Sequence, residues 1–312
     1  MNLQEILEHR RAVRYYDASK PIDADRVEAC VRLATLAPTS SNMQLWEAYH
    51  VTDRATIERL VPACMDQAAV KTAQQLVVFV VRPDLWKDHA EKVLSGAVEN
   101  IRKTYPQEKW EKYAGLQQAY YRKICPFLYS RGFGVWGLCR KLISCVVGCF
   151  RPMPREVTES AMLAVLHKSC ALAVQTFMLA MSEAGYDTCP LEGFDSARVK
   201  KVLGLPRAAR VNMIVSCGIR DEARQLGERL RLPFEEQYHR LLVATLLESA
   251  GSIKKNTPLC CADSRGECCV EAKDGQRKFS PSFICTSPAM RRVREASSLG
   301  VMSSMLSWRV TR

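Results

Sequence analysis

The chain has 312 residues, 47% of them hydrophobic and 25% charged, a balance that supports a sizeable core and excludes a peptide, a disulfide mini-scaffold and a disordered chain. Its 45 Lys and Arg against 33 Asp and Glu leave a formal charge of +12, which suits phosphate cofactors, nucleic acid or lipid headgroups without choosing among them. Fourteen cysteines are many, yet the opening MNLQEILEHRR has no apolar run that addresses a chain to an oxidising compartment, so reduced thiols and a cytoplasmic protein are expected.

Leu3, Ile6 and Leu7 have helical spacing over residues 2–9, and that helix runs into Arg10, Arg11 and Arg14. Asp23 or Asp25 then caps a second helix that continues to about Leu36, with Val27, Cys30, Val31 and Ala34 on one face and Pro38 beyond its end. Trp46 to Val51 reads as a strand, Arg54 to Ala63 as a helix, and the β-branched run Gln75 to Val81 as a buried strand. From Pro83 to about Arg122 the sequence is helical, with a break near Pro106. Residues 125–153 are aromatic and aliphatic throughout and contain no acid. They read either as a buried hairpin or lid, or as an interfacial segment that sets an apolar face into a membrane with basic residues at the headgroups. Thr158 to Gly185 predicts a long helix, apolar almost all the way round and therefore buried, as a core or dimer helix. A short helix over Ser196 to Leu203, a strand over Arg210 to Cys217 and an extended segment with Arg229 and Arg231 complete a domain of about residues 1–240.

The stretch 241–312 holds 11 Lys and Arg, 6 Asp and Glu, eleven Ser and 5 of the 14 Cys. It lacks sustained periodicity and is expected to be largely unordered. Its adjacent pairs Cys260-Cys261 and Cys268-Cys269 lack the two-residue gap of a zinc turn, so no metal site is assigned.

Four segments carry chemistry. Arg10 and Arg14, four residues apart, share a face if the first helix continues, and two guanidinium forks can hold a phosphate. Residues 37–46, APTSSNMQLW, set small hydroxyls and the amides of Asn42 and Gln44 at a helix-to-strand turn, suited to a flat polar heterocycle or a ribityl chain. In residues 190–195, PLEGFD, Gly193 permits close backbone approach and Asp195 caps the next helix. Arg229 and Arg231 alternate on one side of an extended segment.

In this order the four segments resemble the FMN-dependent nitroreductase family over roughly residues 3–235; residues 84–155 match poorly and the stretch after 240 lies outside the pattern. The resemblance implies an α+β fold, a mixed sheet flanked by helices in an intertwined homodimer with FMN at the subunit interface. By the same resemblance Arg10, Arg14 and Arg231, supported by Arg229, hold the FMN phosphate, and Arg11 and Ala12 lie along the ribityl and ring edge. Ser40, Asn42 and Gln44 serve the ring or ribityl from one subunit. Pro190, Leu191, Glu192 and Gly193 pack on the isoalloxazine, with the amide near Glu192 facing N5 and Lys71 near the pyrimidine ring. The implied activity is hydride transfer from NAD(P)H to a flat acceptor, a nitroaromatic or quinone, by a two-step ping-pong mechanism in which no acid or base side chain is nominated. Ala12 stands where the family commonly has Ser, Leu45 replaces a Pro before the Trp, and Ser169 falls near a position often held by an amide. The competing reading is a flavin-binding or membrane-associated adaptor without turnover, with peripheral membrane contact through 125–153. Nucleic-acid binding has no helix-turn-helix, finger or aromatic-basic motif to support it.

Overall fold

The run Gln75–Val81 is buried at all seven positions, so its strand needs cover on both faces, and the fold is arranged to supply it. The computed structural model of the chain describes residues 2–132, 134–224 and 227–240, and further along 261–262, 268–271 and 277–278. The chain divides into two compact units, Met1–Glu228 and Arg229–Arg312.

In the first unit the order is α1 Leu3–His9, α2 Ala24–Ala34, β1 Trp46–Val51, α3 Arg54–Leu60, α4 Ala68–Lys71, β2 Gln75–Val81, α5 Trp86–Thr104, α6 Trp110–Ala119, a π turn Tyr120–Ile124, α7 Cys125–Tyr129, α8 Val135–Val147, α9 Glu159–Glu183, β3 Asp187–Leu191, α10 Ser196–Leu203 and β4 Arg210–Gly218. Helix starts follow side-chain chemistry. Asn2 and Glu5 form a capping box on α1, and Asp23, Asp53, Thr158 and Asp195 accept backbone N–H groups at the starts of α2, α3, α9 and α10. The helix expected over Arg54 to Ala63 stops at Leu60, because Pro62 opens a separate 3-10 turn, Pro62–Cys64.

The sheet order is β1-β2-β4-β3 and all three ladders are antiparallel. The α+β class is borne out, and the parallel component of the expected mixed sheet is one isolated bridge, Ala12 to Thr188. Alternation along β2 sends Val77, Phe79 and Val81 into a core with α2, α5 and α9, and Leu76, Val78 and Val80 into a second core with α3, α4 and α10. A tilted aromatic series, Trp46–Phe79–Phe177, with centroids 5.9 and 5.5 Å apart, ties the sheet to α9. α9 is long and apolar enough to cross a membrane, but Leu166, Cys170, Ala173, Val174, Phe177 and Met181 are buried in the core. The thiols of Cys30, Cys64, Cys125, Cys170, Cys189 and Cys217 are buried and free, and burial pushes Cys64 and Cys125 up to about 11 and Cys170 up to about 12.

β3 is a strand that the sequence pattern does not announce. It contains Pro190, which an edge strand tolerates and an interior strand does not. Its first residue, Asp187, is 3% exposed and accepts the backbone N–H of Arg220 at 2.8 Å and Nε at 3.0 Å, while the other arm of the Arg220 guanidinium donates to the His9 carbonyl at 2.9 Å. His9 donates through Nδ1 to Ser182, which itself donates to the Ile6 carbonyl. The end of α1 and the ends of β3 and β4 therefore meet at one carboxylate.

Between Phe79 and Val80 the β2–β4 register shifts, leaving Asn212 out of the ladder. Its amide reaches His167 Nδ1 at 2.9 Å. Burial, with a smaller contribution from the charge of Arg210, holds His167 below the ordinary histidine value.

In the second unit, Phe234–Glu236 form a 3-10 turn and Phe234 stacks on Tyr238 with centroids 4.8 Å apart. Strands β5 Cys261–Ala262, β6 Cys268–Glu271 and β7 Arg277–Lys278 pair antiparallel in sequence order. The rest of the stretch expected to be unordered, and the side chains of its cysteine pairs, lie outside the described residues.

Two outcomes follow for stability. Asp187→Asn leaves Arg220 without its carboxylate and is expected to cost roughly 3 kcal/mol, the low end for a broken buried pair because Arg220 keeps some access to water; the urea midpoint measures it. As pH falls through about 6.5, the unfolded chain takes up a proton at residue 167 that the folded state resists. Stability therefore declines with acid from that point, and His167→Gln is expected to flatten the drop in thermal midpoint between about pH 7 and pH 5, well above the range where carboxylates titrate.

Candidate functional site

The arginine segment is not helical. α1 ends at His9, and Arg10 takes an extended conformation with ψ 115°, so the expectation that Arg10 and Arg14 share a helix face is corrected. The chain instead runs along the edge of the sheet. Ala12 bridges Thr188, Val13 N–H donates to the Thr188 carbonyl at 3.1 Å, and Tyr16, whose ring is buried, donates to the Ser216 carbonyl at 2.9 Å. Val13 and Tyr16 face inward while Ala12 and Arg14 are exposed.

Beside this segment is a cleft of about 180 Å³ lined by Arg11, Val13, Arg14, Tyr15, Arg220, Asp221, Glu222 and Arg224. Arg10 is not in the lining. Arg11 donates to the Gly227 carbonyl at 2.6 Å, Arg220 is committed to Asp187, and Arg224 lies 4.9 Å over the Tyr15 ring and 3.6 Å from Asp221. Arg14 makes no ion pair among the described residues, so its charge is available to an anion. Arg220 and Arg224 were missed from sequence, where the run after β4 reads as an ordinary charged turn.

The turn after β3 is stitched to the loop around α4. Gln67 Nε2 donates to the Gly193 carbonyl at 2.7 Å, and a Cβ at Gly193 would lie 3.3 Å from that nitrogen. Asp195 N–H donates to Ala63 at 2.7 Å and its carboxylate caps α10. Glu192 and Gly193 are exposed, Leu191 is buried and Pro190 is half-buried. Lys71 closes α4, pairs with Asp66 at 3.3 Å, and precedes Thr72, whose hydroxyl accepts the Tyr16 N–H at 3.2 Å. The structure thus brings Arg11, Ala12, Arg14, Lys71 and Pro190–Gly193 to one edge of the sheet. Gln67 carried no sequence signal.

The Ser40–Gln44 turn is built differently. Ser41, Asn42 and Gln44 have φ of 55°, 51° and 48°, a left-handed conformation that costs non-glycine residues about 1–3 kcal/mol each. The surroundings enforce it. Tyr121 donates to the Ser41 carbonyl at 2.9 Å, Tyr120 and Ser41 share a hydroxyl hydrogen bond of 2.8 Å, Ser169 accepts the Ser40 N–H at 3.1 Å, and His89 Nδ1 donates to the Met43 carbonyl at 2.7 Å. Met43 and Leu45 are buried on either side. Ser40, Asn42 and Gln44 remain exposed, and the Gln44 amide donates to Asn42 Oδ1 at 3.2 Å. Tyr120 and Tyr121 come from the π turn, a helix irregularity frequent at functional sites. Burial pushes Tyr121 up to about 12, which keeps its phenol a donor. The adjacent tyrosines are the only sequence signal for this clamp, inside a stretch that otherwise reads simply as helical.

These two groups are not adjacent within one chain. The Ser40–Gln44 turn enters β1, one edge of the sheet, and its anchors belong to the α9 core; the arginine group lies along β3, the other edge, and its anchors Val13, Ala69, Val70 and Leu191 belong to the α3–α10 core. Three inter-strand steps of about 4.8 Å separate the edges by roughly 14 Å. Arg229 and Arg231 belong to the second unit, where both are exposed and Arg231 donates to the Leu230 carbonyl at 2.7 Å.

The profile of the Nitroreductase family matches residues 7–219. Protein DrgA of Synechocystis sp. is 23% identical over 223 residues, 71% of this chain and 86% of its own. An NADH dehydrogenase of Thermus thermophilus is 26% identical over 223 residues, 72% of this chain and 89% of its own. A protein of Exiguobacterium sibiricum, solved in complex with FMN, has the same fold with a TM-score of 0.56 at 22% identity, covering 77% of this chain and 98% of that one. The matched stretch runs from α1 to the end of β4 and takes in the arginine segment, the strained turn and the turn after β3, and the chain belongs to the nitroreductase family.

Proposed function

We propose that the protein is an FMN-dependent oxidoreductase that takes reducing equivalents from NAD(P)H and passes them to a flat acceptor, a nitroaromatic or quinone, in two separate half-reactions. The observation that carries this reading is where the backbone strain lies. Among the described residues, every non-glycine residue at positive φ, namely Ser41, Asn42, Gln44, Met65 and Asp66, falls in the two loops that flank the segments suited to a flavin, and strain of this kind is retained where it shapes a site.

The residues fit FMN. Arg14, which makes no ion pair among the described residues, and Arg11 beside it offer a phosphate positive charge in a cleft whose lining holds four arginines against Asp221 and Glu222. The open turn at Glu192 and Gly193 lets backbone approach the face of a ring, and Gln67 fixes the Gly193 carbonyl so that the turn does not collapse. Bound FMN supplies the centre that accepts and returns hydride. The protein's share is placement, positive charge at the phosphate and amide donors around the ring.

A complete site calls for two copies. Asn42 and Gln44 sit at the edge opposite the arginine group, so the amides of one subunit complete the site around Arg14 of another. The arrangement requires an intertwined homodimer, and a monomer leaves each half exposed. The curated relatives and the FMN-bound neighbour support the chemistry by family membership.

The direct test is the visible spectrum of purified protein before and after anaerobic NADH or NADPH. A flavin band that bleaches, then returns on adding a quinone, is expected; colourless protein that takes up no FMN rejects the reading. Arg14→Ala is expected to weaken FMN binding by about 1.5–3 kcal/mol, the scale of a charged hydrogen bond, in a fluorescence titration. Mixed dimers of Arg14→Ala and Asn42→Ala chains carry one intact site in two and, at an FMN concentration too low to load either variant alone, should recover turnover; no recovery rejects a shared site.

A further inference from the structure

α8 is turned inside out. Its buried positions are Gly137, Arg140 and Ser144, three and four residues apart. The large apolar residues Val135, Leu138, Leu142 and Val146, with Phe150 just beyond the helix, repeat at the same spacing on the outside, and Leu138, Leu142 and Phe150 are 71%, 67% and 86% exposed. Monomeric proteins in water rarely keep such a stripe uncovered.

The buried side shows why the helix does not roll over. A Cβ at Gly137 would lie 2.6 Å from the Glu159 backbone nitrogen, so α8 is pressed against the start of α9. Arg140, 0% exposed, donates to the carbonyls of Phe127 at 2.8 Å and Ser130 at 3.2 Å at the end of α7, and Ser144 donates to the Pro154 carbonyl. These polar attachments fix one face inward and leave the apolar face no choice but to point out.

Charge identifies the cover. Residues 112–155 contain eight Lys and Arg and no Asp or Glu. Lys141, Arg151 and Arg155 flank the stripe; Lys141 donates to the Arg155 carbonyl, and Arg155 donates to the Gly148 carbonyl at the end of α8. A second copy docking through the same face would set cation against cation, and the stretch 241–312 is itself net basic. Thirteen residues make a helix about 20 Å long, too short to cross a hydrocarbon core of about 30 Å. An apolar stripe edged by cations is the pattern of a helix lying in a bilayer interface.

We propose that α8 seats the protein on an anionic phospholipid surface, with Val135, Leu138, Leu142, Val146 and Phe150 in the acyl boundary and Lys141, Arg151 and Arg155 at the phosphates. The helix axis lies in the plane of the membrane.

The test is flotation of the full-length protein with vesicles of phosphatidylcholine mixed with phosphatidylserine, beside vesicles of phosphatidylcholine alone. Binding to the mixed vesicles is expected, weakened on the order of tenfold or more by raising salt or by Lys141→Glu with Arg151→Glu. Leu138→Glu with Leu142→Glu is expected to abolish it. Leu138, Leu142 and Arg151 are exposed, Lys141 is half-buried, and all four are outside the proposed flavin site, so unchanged circular dichroism and FMN content separate lost binding from lost folding and from failure of the functional reading. No flotation of folded wild-type protein overturns the proposal. So does self-association in the absence of lipid that the leucine pair removes, which assigns the stripe to a second copy.

Discussion

The attachment of Arg220 to Asp187 is the constraint on which the rest of the first unit hangs. Asp187 opens β3, Arg220 follows β4, and the second arm of the guanidinium closes the end of α1 at His9. One buried carboxylate therefore fixes three points distant in sequence. The angle at which residues 10–14 leave the helix follows from it, and so does their course along β3, the bridge at Ala12 and the exposure of Arg14. Arg14 makes no ion pair among the described residues, while the neighbouring arginines are already committed to carboxylate, ring or carbonyl.

The distribution of the site over one sheet has a second physical cause. A sheet covered on both faces leaves its polar openings at the edges and strand ends. β1 and β3 are the two edges, and each gathers half of the polar loops. The half at β1 is held in a strained conformation by the phenols of Tyr120 and Tyr121, and the half at β3 by the Gln67 amide. Both clamps hold backbone carbonyls, of Ser41 in the first loop and of Gly193 in the second. They rigidify the loops from behind, which is how a site can be exact while its contact residues stay exposed.

Much of this was legible in the sequence, for reasons that can be named. Leu76–Val81 is apolar at every position and reads as a buried strand; Glu159–Glu183 announces itself through Thr158 at one end and Gly185 at the other, where φ is 77°. β3 was illegible because Thr-Cys-Pro-Leu is short and proline argues against a strand until the strand is known to be an edge. The helical pairing of Arg10 with Arg14 failed because the terminus of α1 is set by His9 and Arg220, a contact spanning more than two hundred residues. The arginines after β4 and the tyrosines of the π turn gave composition without geometry. Residues 125–153 were recognisable as apolar and acid-free, but periodicity alone cannot say which face of α8 is buried; Arg140 and Ser144 decide that, against the usual polarity rule.

Pro190 has a consequence at the level of solubility. β3 is the last strand of the sheet, and an open edge is a template on which another chain can polymerise. Residues 12 and 13 cover its beginning through the bridge to Thr188, and proline, with no N–H to offer, interrupts the ladder further along. The same residue that hid the strand from sequence reading thereby blunts one route to fibrillar growth, leaving the turn beyond it open to a small ligand but a poor splice for a foreign strand.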